Sequence, residues 1–233
     1  MRPRILRAAG RAAVPWKNGG GVTREIASWP EGAGTADFDW RISVADVAAD
    51  GPFSTFPGVD RTLTVVEGAG MDLMVGDRRE LVDERGVPAD FPGDLPTHCL
   101  LLAGPVVNFN VMWHRERVSA SVAVVRGCLP VPVPPGATVV AVALEGPATL
   151  GSVMLTRYDA VLLTSGAATG APAPGREWEA TPGPAEPVSG LEPGSVSGPA
   201  LGPESAPGPG SAPLTLRSEG PAALVTLRRA ARR

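Results

Sequence analysis

The stretch "FDWRISVADV", residues 38–47, alternates large apolar residues with polar or small ones. Trp40, Ile42 and Val44 fall on one side, and Arg41, Ser43 and Ala45 on the other. A repeat of two places successive side chains on opposite faces of an extended chain, so this is a β-strand with two different surfaces. The same signature recurs outward from it. "RTLTVVEGAGMDLMVGD" (61–77) predicts two strands joined at Glu67-Gly68, and "HCLLLAGPVVNFNVMW" (98–113) predicts two more, broken at Gly104-Pro105. "VSASVAVVRG", "ATVVAVALEG" and "ATLGSVMLTRYDAVLLTSG" continue the series, and "PLTLRSEGPAALVTLRRA" reads as a closing hairpin. No long amphipathic helix with caps is present. Short strands with close-set turns define an all-β chain of sandwich or barrel type.

Residues 61–77 and 137–163 share a layout of apolar strand, Glu-Gly turn, apolar strand and a turn containing aspartate. This weak repeat predicts two β modules, 1–117 and 118–233, each a jelly-roll barrel. The 29 glycines and 26 prolines are unevenly spread, and they crowd residues 167–213. That segment has almost no aromatic or β-branched content beyond Trp178 and two valines, too little to offset its ordering entropy by burial. It is expected to be a disordered insertion in the second module.

Composition narrows the function. At 43% hydrophobic, 233 residues can build a real core. A net charge of −3 weighs against nucleic acid as a partner. Two cysteines, Cys99 and Cys128, are too few for a disulfide framework or a thiolate metal site, and both are expected to be buried free thiols. The basic N-terminus lacks the apolar core of a secretory signal, and no run of about 18 apolar residues occurs, so a soluble cytoplasmic protein is expected.

Two histidines, His98 and His114, exclude a three-histidine metal site, and no metal or other cofactor is expected. His98 and Cys99 should point to opposite faces. "PWKNGGGVTREIA" (15–27) brings Gly19, Gly20 and Gly21 together behind Lys17 and Asn18. It matches neither phosphate-loop nor dinucleotide patterns, and no strand is expected before it. The glycines are read either as a bulge or close backbone crossing, or as an anion-accepting concavity. No nucleophile elbow is present. What remains is polar chemistry on strands: Arg41 with Ser43, Asn108 with Asn110, and Arg61 at a strand start. In a closed barrel these either face water or line a polar interior.

Taken together, "PWKNGGGVTREIA", "FDWRISVADVAADGPFSTFPGVDRTLTVVEGAG" and "GPVVNFNVM" resemble the HutD/Ves family in order and spacing, over roughly residues 3–165. The resemblance implies a bicupin, two cupin-like jelly-roll β-barrels in one chain. It also implies an association with histidine degradation, and binding of a small acid such as urocanate or a formylated glutamate without the cupin metal ligands. Some members are called stress-induced instead. The positions carried over are Trp16, Lys17, Asn18, Gly19, Gly20, Gly21, Thr23, Arg24, Trp40, Arg41, Ser43, Arg61, Asn108 and Asn110. Asn108 stands where the family pattern suggests aspartate.

These residue types suit a carboxylate. A guanidinium grips one with two parallel hydrogen bonds. An amide pair both donates and accepts. Trp16 or Trp40 would supply an apolar wall. The expected function is a metal-independent binding protein for a small anionic metabolite, with a regulatory role in histidine utilisation and a possible homodimeric state. Two alternatives stand beside it: a metal-independent enzyme on the same acids with Glu25 or His98 as base, and an interaction protein recruiting a partner through the Pro/Gly segment.

Overall fold

The computed structural model describes residues 2–165 and 213–230, so the Pro/Gly segment lies outside the described residues except for Pro213. Among the described residues the regular structure is all strand. In chain order these are β1 (Arg2–Leu6), β2 (Val14–Pro15), β3 (Gly21–Trp29), β4 (Trp40–Val47), β5 (Gly51–Phe53), β6 (Val59–Glu67), β7 (Met71–Val75), β8 (Arg78–Val82) and β9 (Pro88–Pro92). The series continues with β10 (Thr97–Leu101), β11 (Val106–His114), β12 (Val118–Val131), β13 (Ala137–Ala143), β14 (Ala148–Leu150), β15 (Val153–Leu155), β16 (Ala160–Thr164) and β17 (Leu214–Arg229). Among these residues no helix is long and apolar enough to cross a membrane.

The strands form three antiparallel sheets. A six-stranded sheet runs β2-β3-β4-β11-β6-β9 and a four-stranded one β5-β10-β7-β8. The third runs β1-β16-β13-β17-β14-β15, with β12 added on β17. Period-two alternation decides which core each residue enters. On β4, Trp40, Ile42 and Val44 join Phe109 and Val111 of β11 and meet Val140, Val142, Ala223, Val225 and Leu227 of the seven-stranded sheet. This core cements the two sheets; a fully buried Ile42 or Phe109 contributes about 1.5–3 kcal/mol. Leu63, Val65, Met71, Leu73 and Cys99 fill the space between the six- and four-stranded sheets. Val139, Ala141, Val161, Leu163 and Leu216 use the other faces of β13, β16 and β17, so the seven-stranded sheet curls around a core of its own.

Four expectations are corrected. The closing hairpin is instead one strand, β17, sixteen residues long. Its Glu219-Gly220 pair does not turn the chain: β17 pairs with β12 on both sides of it, across a register irregularity. A side chain at Gly220 would collide with the Glu145 carbonyl, so glycine is needed for that crossing. Second, β1 pairs with β16 and so belongs to the seven-stranded sheet, across the sequence division at residue 117. Third, a short strand, β2, does precede the glycine run. Fourth, Cys99 is buried but Cys128 is exposed, because the β12 irregularity beside Gly127 turns that side chain outward.

Candidate functional site

The six-stranded sheet arranges its polar residues in rungs on the face opposite Trp40. Ser28, Arg41, Met112, Arg61 and Phe91 lie side by side on β3, β4, β11, β6 and β9. Glu25, Ser43, Asn110 and Leu63 form the next rung, then Thr23, Ala45, Asn108 and Val65. Leu63, Val65 and Phe91 belong to the core between the six- and four-stranded sheets, so the Arg61 end of the array faces that interior, while Met112 packs on Phe38 and Val59.

Arg61 lies at the centre, 8% exposed. Its guanidinium carbon lies 5.2 Å from the Phe53 ring centroid and 5.1 Å from that of Phe91, within cation–π range of both. Nη2 donates to Asn110 Oδ1 at 3.3 Å, and Asn110 Nδ2 donates in turn to Asn108 Oδ1. Nε is buried without a partner. Among the described residues no carboxylate pairs with Arg61. Burial, and then the neighbouring Arg41 charge, bring its pKa down to about 10, so it stays cationic at neutral pH. Arg41 is held differently: its Nε donates to Glu25 Oε2 at 2.7 Å, and Glu25 also accepts from Ser28 Oγ at 2.8 Å. The Arg41 side chain is only 15% exposed and that of Glu25 35%. Glu25 and Ser28 also line a groove of about 1120 Å³ that reaches β13 and β17.

The glycine run builds a hairpin turn between β2 and β3. Trp16 N donates to Gly21 O at 2.9 Å, and Gly19 N to Trp16 O at 3.0 Å, with Gly19 at φ 72°. Asn18 Oδ1 accepts from Gly20 N at 3.1 Å, and Asn18 Nδ2 donates to Pro52 O at 3.4 Å. A side chain at Gly21 would strike the Asp46 carbonyl oxygen and press on the Trp16 ring. Gly21→Ala is therefore expected to cost roughly 1–2 kcal/mol by overpacking, read by urea denaturation. Trp16 Nε1 donates to Thr23 Oγ1 at 2.8 Å, and its ring meets Phe53 edge-on at 5.9 Å. The turn thus anchors one wall of the array.

Of the residues expected at the site, Arg41, Ser43, Arg61, Asn108, Asn110 and Thr23 share the interior face, with Trp16 joined to it through Thr23 and Phe53. Three depart from that expectation. Arg24 lies on the opposite face, paired with Asp46; Trp40 is packed into the core between sheets; Lys17 is exposed in the turn. Asn18, Gly19 and Gly20 shape the turn. Strand alternation explains Arg24 and Trp40: Arg24 and Glu25, like Trp40 and Arg41, are neighbours in sequence, so they cannot share a face. Glu25 is already engaged by Arg41 and Ser28, which leaves little of it free to act as a base. His98 is exposed on β10, with Cys99 turned inward beside it, as expected. Phe53 and Phe91 were not anticipated; nothing in an isolated phenylalanine signals that its ring will cover a charge.

The architecture is an all-β, cupin-like one with a buried guanidinium on its six-stranded sheet. The HutD family model matches residues 8–179, and the chain belongs to that family. An uncharacterized 21.2 kDa protein in the hutC 3' region of Pseudomonas putida is 40% identical over 121 residues, 50% of this chain and 60% of that protein. Protein Ves of Cronobacter sakazakii is 37% identical over 110 residues, 47% of this chain and 59% of that one. The chain thus spans about three fifths of the length of the curated relatives it matches. HutD from Pseudomonas fluorescens SBW25, solved in a formate condition, is 25% identical with a TM-score of 0.73, covering 99% of this chain and 100% of that one. A conserved protein of unknown function from Pseudomonas aeruginosa PAO1 has the same identity and coverage at a TM-score of 0.68. Protein Ylba of E. coli, at 10% identity and a TM-score of 0.55, shares the fold alone.

Proposed function

We propose that the interior of the first module binds a small carboxylate metabolite, without a metal, as part of the control of histidine utilisation in the cytoplasm. The observation that carries this reading is Arg61, a buried cation that among the described residues has an unpartnered Nε and no carboxylate beside it. A buried charge without a counter-ion costs several kcal/mol, and an anionic ligand would relieve that cost. Arg41 adds a second guanidinium, steered by Glu25. Asn108 and Asn110 form a linked amide pair that can answer a formyl, amide or imidazole group. Phe53 and Trp16 supply the apolar wall. The relative encoded beside hutC in Pseudomonas putida supports the link to histidine utilisation. The formate condition of the Pseudomonas fluorescens relative makes formate the smallest useful probe.

Isothermal titration of the folded protein with urocanate, formylglutamate and formate is expected to give saturable heat with at least one of them, strongest where the amide pair is also engaged. Absence of heat with all three would refute the reading.

A further inference from the structure

Each sheet edge offers a row of unpaired backbone N–H and C=O groups, and proteins blunt such edges with proline, charge or shortness. Among the described residues seven strands stand at edges, and six carry such a device. β2 has two residues and ends in Pro15; β5 is "GPF"; β9 is "PADFP". β1 is "RPRIL"; β8 is "RRELV"; β15 has only three residues. β12 is the exception. Its first eight residues, "VSASVAVV", contain no charge, no proline and no glycine, and its β-branched content favours extended pairing.

Among the described residues β12 pairs with β17 alone, through thirteen of its fourteen residues. Ala120, Val122 and Val124 pack toward the core between sheets, which fixes the strand. The alternate side chains, Ser119, Ser121 and Ala123, are exposed and small, so nothing bulky keeps another strand away. The irregularity between Val125 and Gly127, followed by exposed Cys128 and then Pro130, ends the smooth edge. Immediately alongside, at β9, the six-stranded sheet does end in prolines.

The geometry points to β12 as the pairing edge of a two-fold dimer, in which residues 118–125 of two copies run antiparallel and join their seven-stranded sheets into one. A second copy is the occupant this edge fits. An uncharged strand of small alternating residues is self-complementary: about a two-fold axis residue i of one copy faces residue j of the other and j faces i, so only the residue nearest the axis meets its own counterpart. Eight residues span about 26 Å and would form roughly eight new backbone hydrogen bonds.

Light scattering after size exclusion on the full chain is expected to give twice the 23.9 kDa of one chain. The double variant S121E/A123E places four carboxylates along the joint and is expected to halve that mass, or to raise the dimer dissociation constant at least about tenfold. Both positions are exposed, so an unchanged circular dichroism spectrum and unchanged carboxylate binding should accompany the loss. Single cysteines at 119, 121 and 123 in a Cys128→Ser background should cross-link unequally, fastest nearest the axis. A monomeric wild-type chain overturns the proposal, and so does a monomer that dimerises only after residues 167–212 are deleted. A dimer indifferent to S121E/A123E also overturns it, by moving the contact elsewhere.

Discussion

Arg61→Met is expected to abolish carboxylate binding and to make the protein more stable. The two effects share one cause. In the wild-type chain the guanidinium is removed from water but meets only an amide oxygen at 3.3 Å and two phenyl faces, with Arg41 close enough to oppose it electrostatically. Methionine has nearly the same reach, fits between two rings and carries no charge to desolvate. Replacing a poorly compensated buried ion by a well-packed apolar side chain commonly gains about 1–4 kcal/mol. Against this stands one lost donor to Asn110, so a net gain of about 1–3 kcal/mol is expected in urea denaturation. Removing one partner of a buried charged contact costs a ligand about 2–5 kcal/mol, so affinity should fall about a hundredfold or more. Arg61→Lys keeps the charge but loses the planar fork and should fall between the two. If Arg61→Met lowered stability and left the titration heat intact, the arginine would be a structural stack and not a ligand grip.

The second large effect is expected at Asp159, which is 2% exposed and ties the N-terminal segment to the turn between β15 and β16. Its carboxylate accepts from Ala8 N at 2.7 Å, Arg7 Nη1 at 2.8 Å, Thr156 N at 3.0 Å and Thr156 Oγ1 at 2.9 Å. Burial alone would raise its pKa, but the hydrogen bonds from Ala8, Thr156 and Arg7 outweigh it and hold the group at about 2. Asp159→Ala leaves two backbone N–H groups without their acceptor and is expected to cost about 2–4 kcal/mol. The pH dependence has a definite sign. The folded state resists protonation more than the unfolded one, whose aspartate titrates near the ordinary value of about 3.9. The stabilisation is therefore complete above that value and is lost as pH falls toward about 2. The gap between wild type and Asp159→Ala should be widest at pH 7 and shrink on acidification below about pH 4. A gap unchanged down to pH 2.5 would assign the loss to packing and not to the carboxylate.

Much of this was legible in the chain, and for a plain reason. A period of two is a local property, so the β4 pattern fixed both the strand and the separation of Arg41 and Ser43 from Trp40. The same rule placed His98 and Cys99 on opposite faces. What stayed hidden depends on contacts between distant residues. Glu25 pairs across strands with Arg41, and only the register shows that the adjacent Arg24 belongs to another surface. Phe53 and Phe91 enter the site from β5 and β9, neither of which carries a chemical signature. The Glu219-Gly220 pair resembled a hairpin turn because glycine serves equally well where two backbones must cross closely, and the Glu145 contact that decides between these lies far off in sequence.

β1 and its neighbour β16 lie more than 150 residues apart along the chain. β1 therefore has no mate until that later stretch is made, whereas the sheet that carries Arg61 is complete within residues 14–114. Cutting away residues 2–6 would bare β16 while sparing the arginine array.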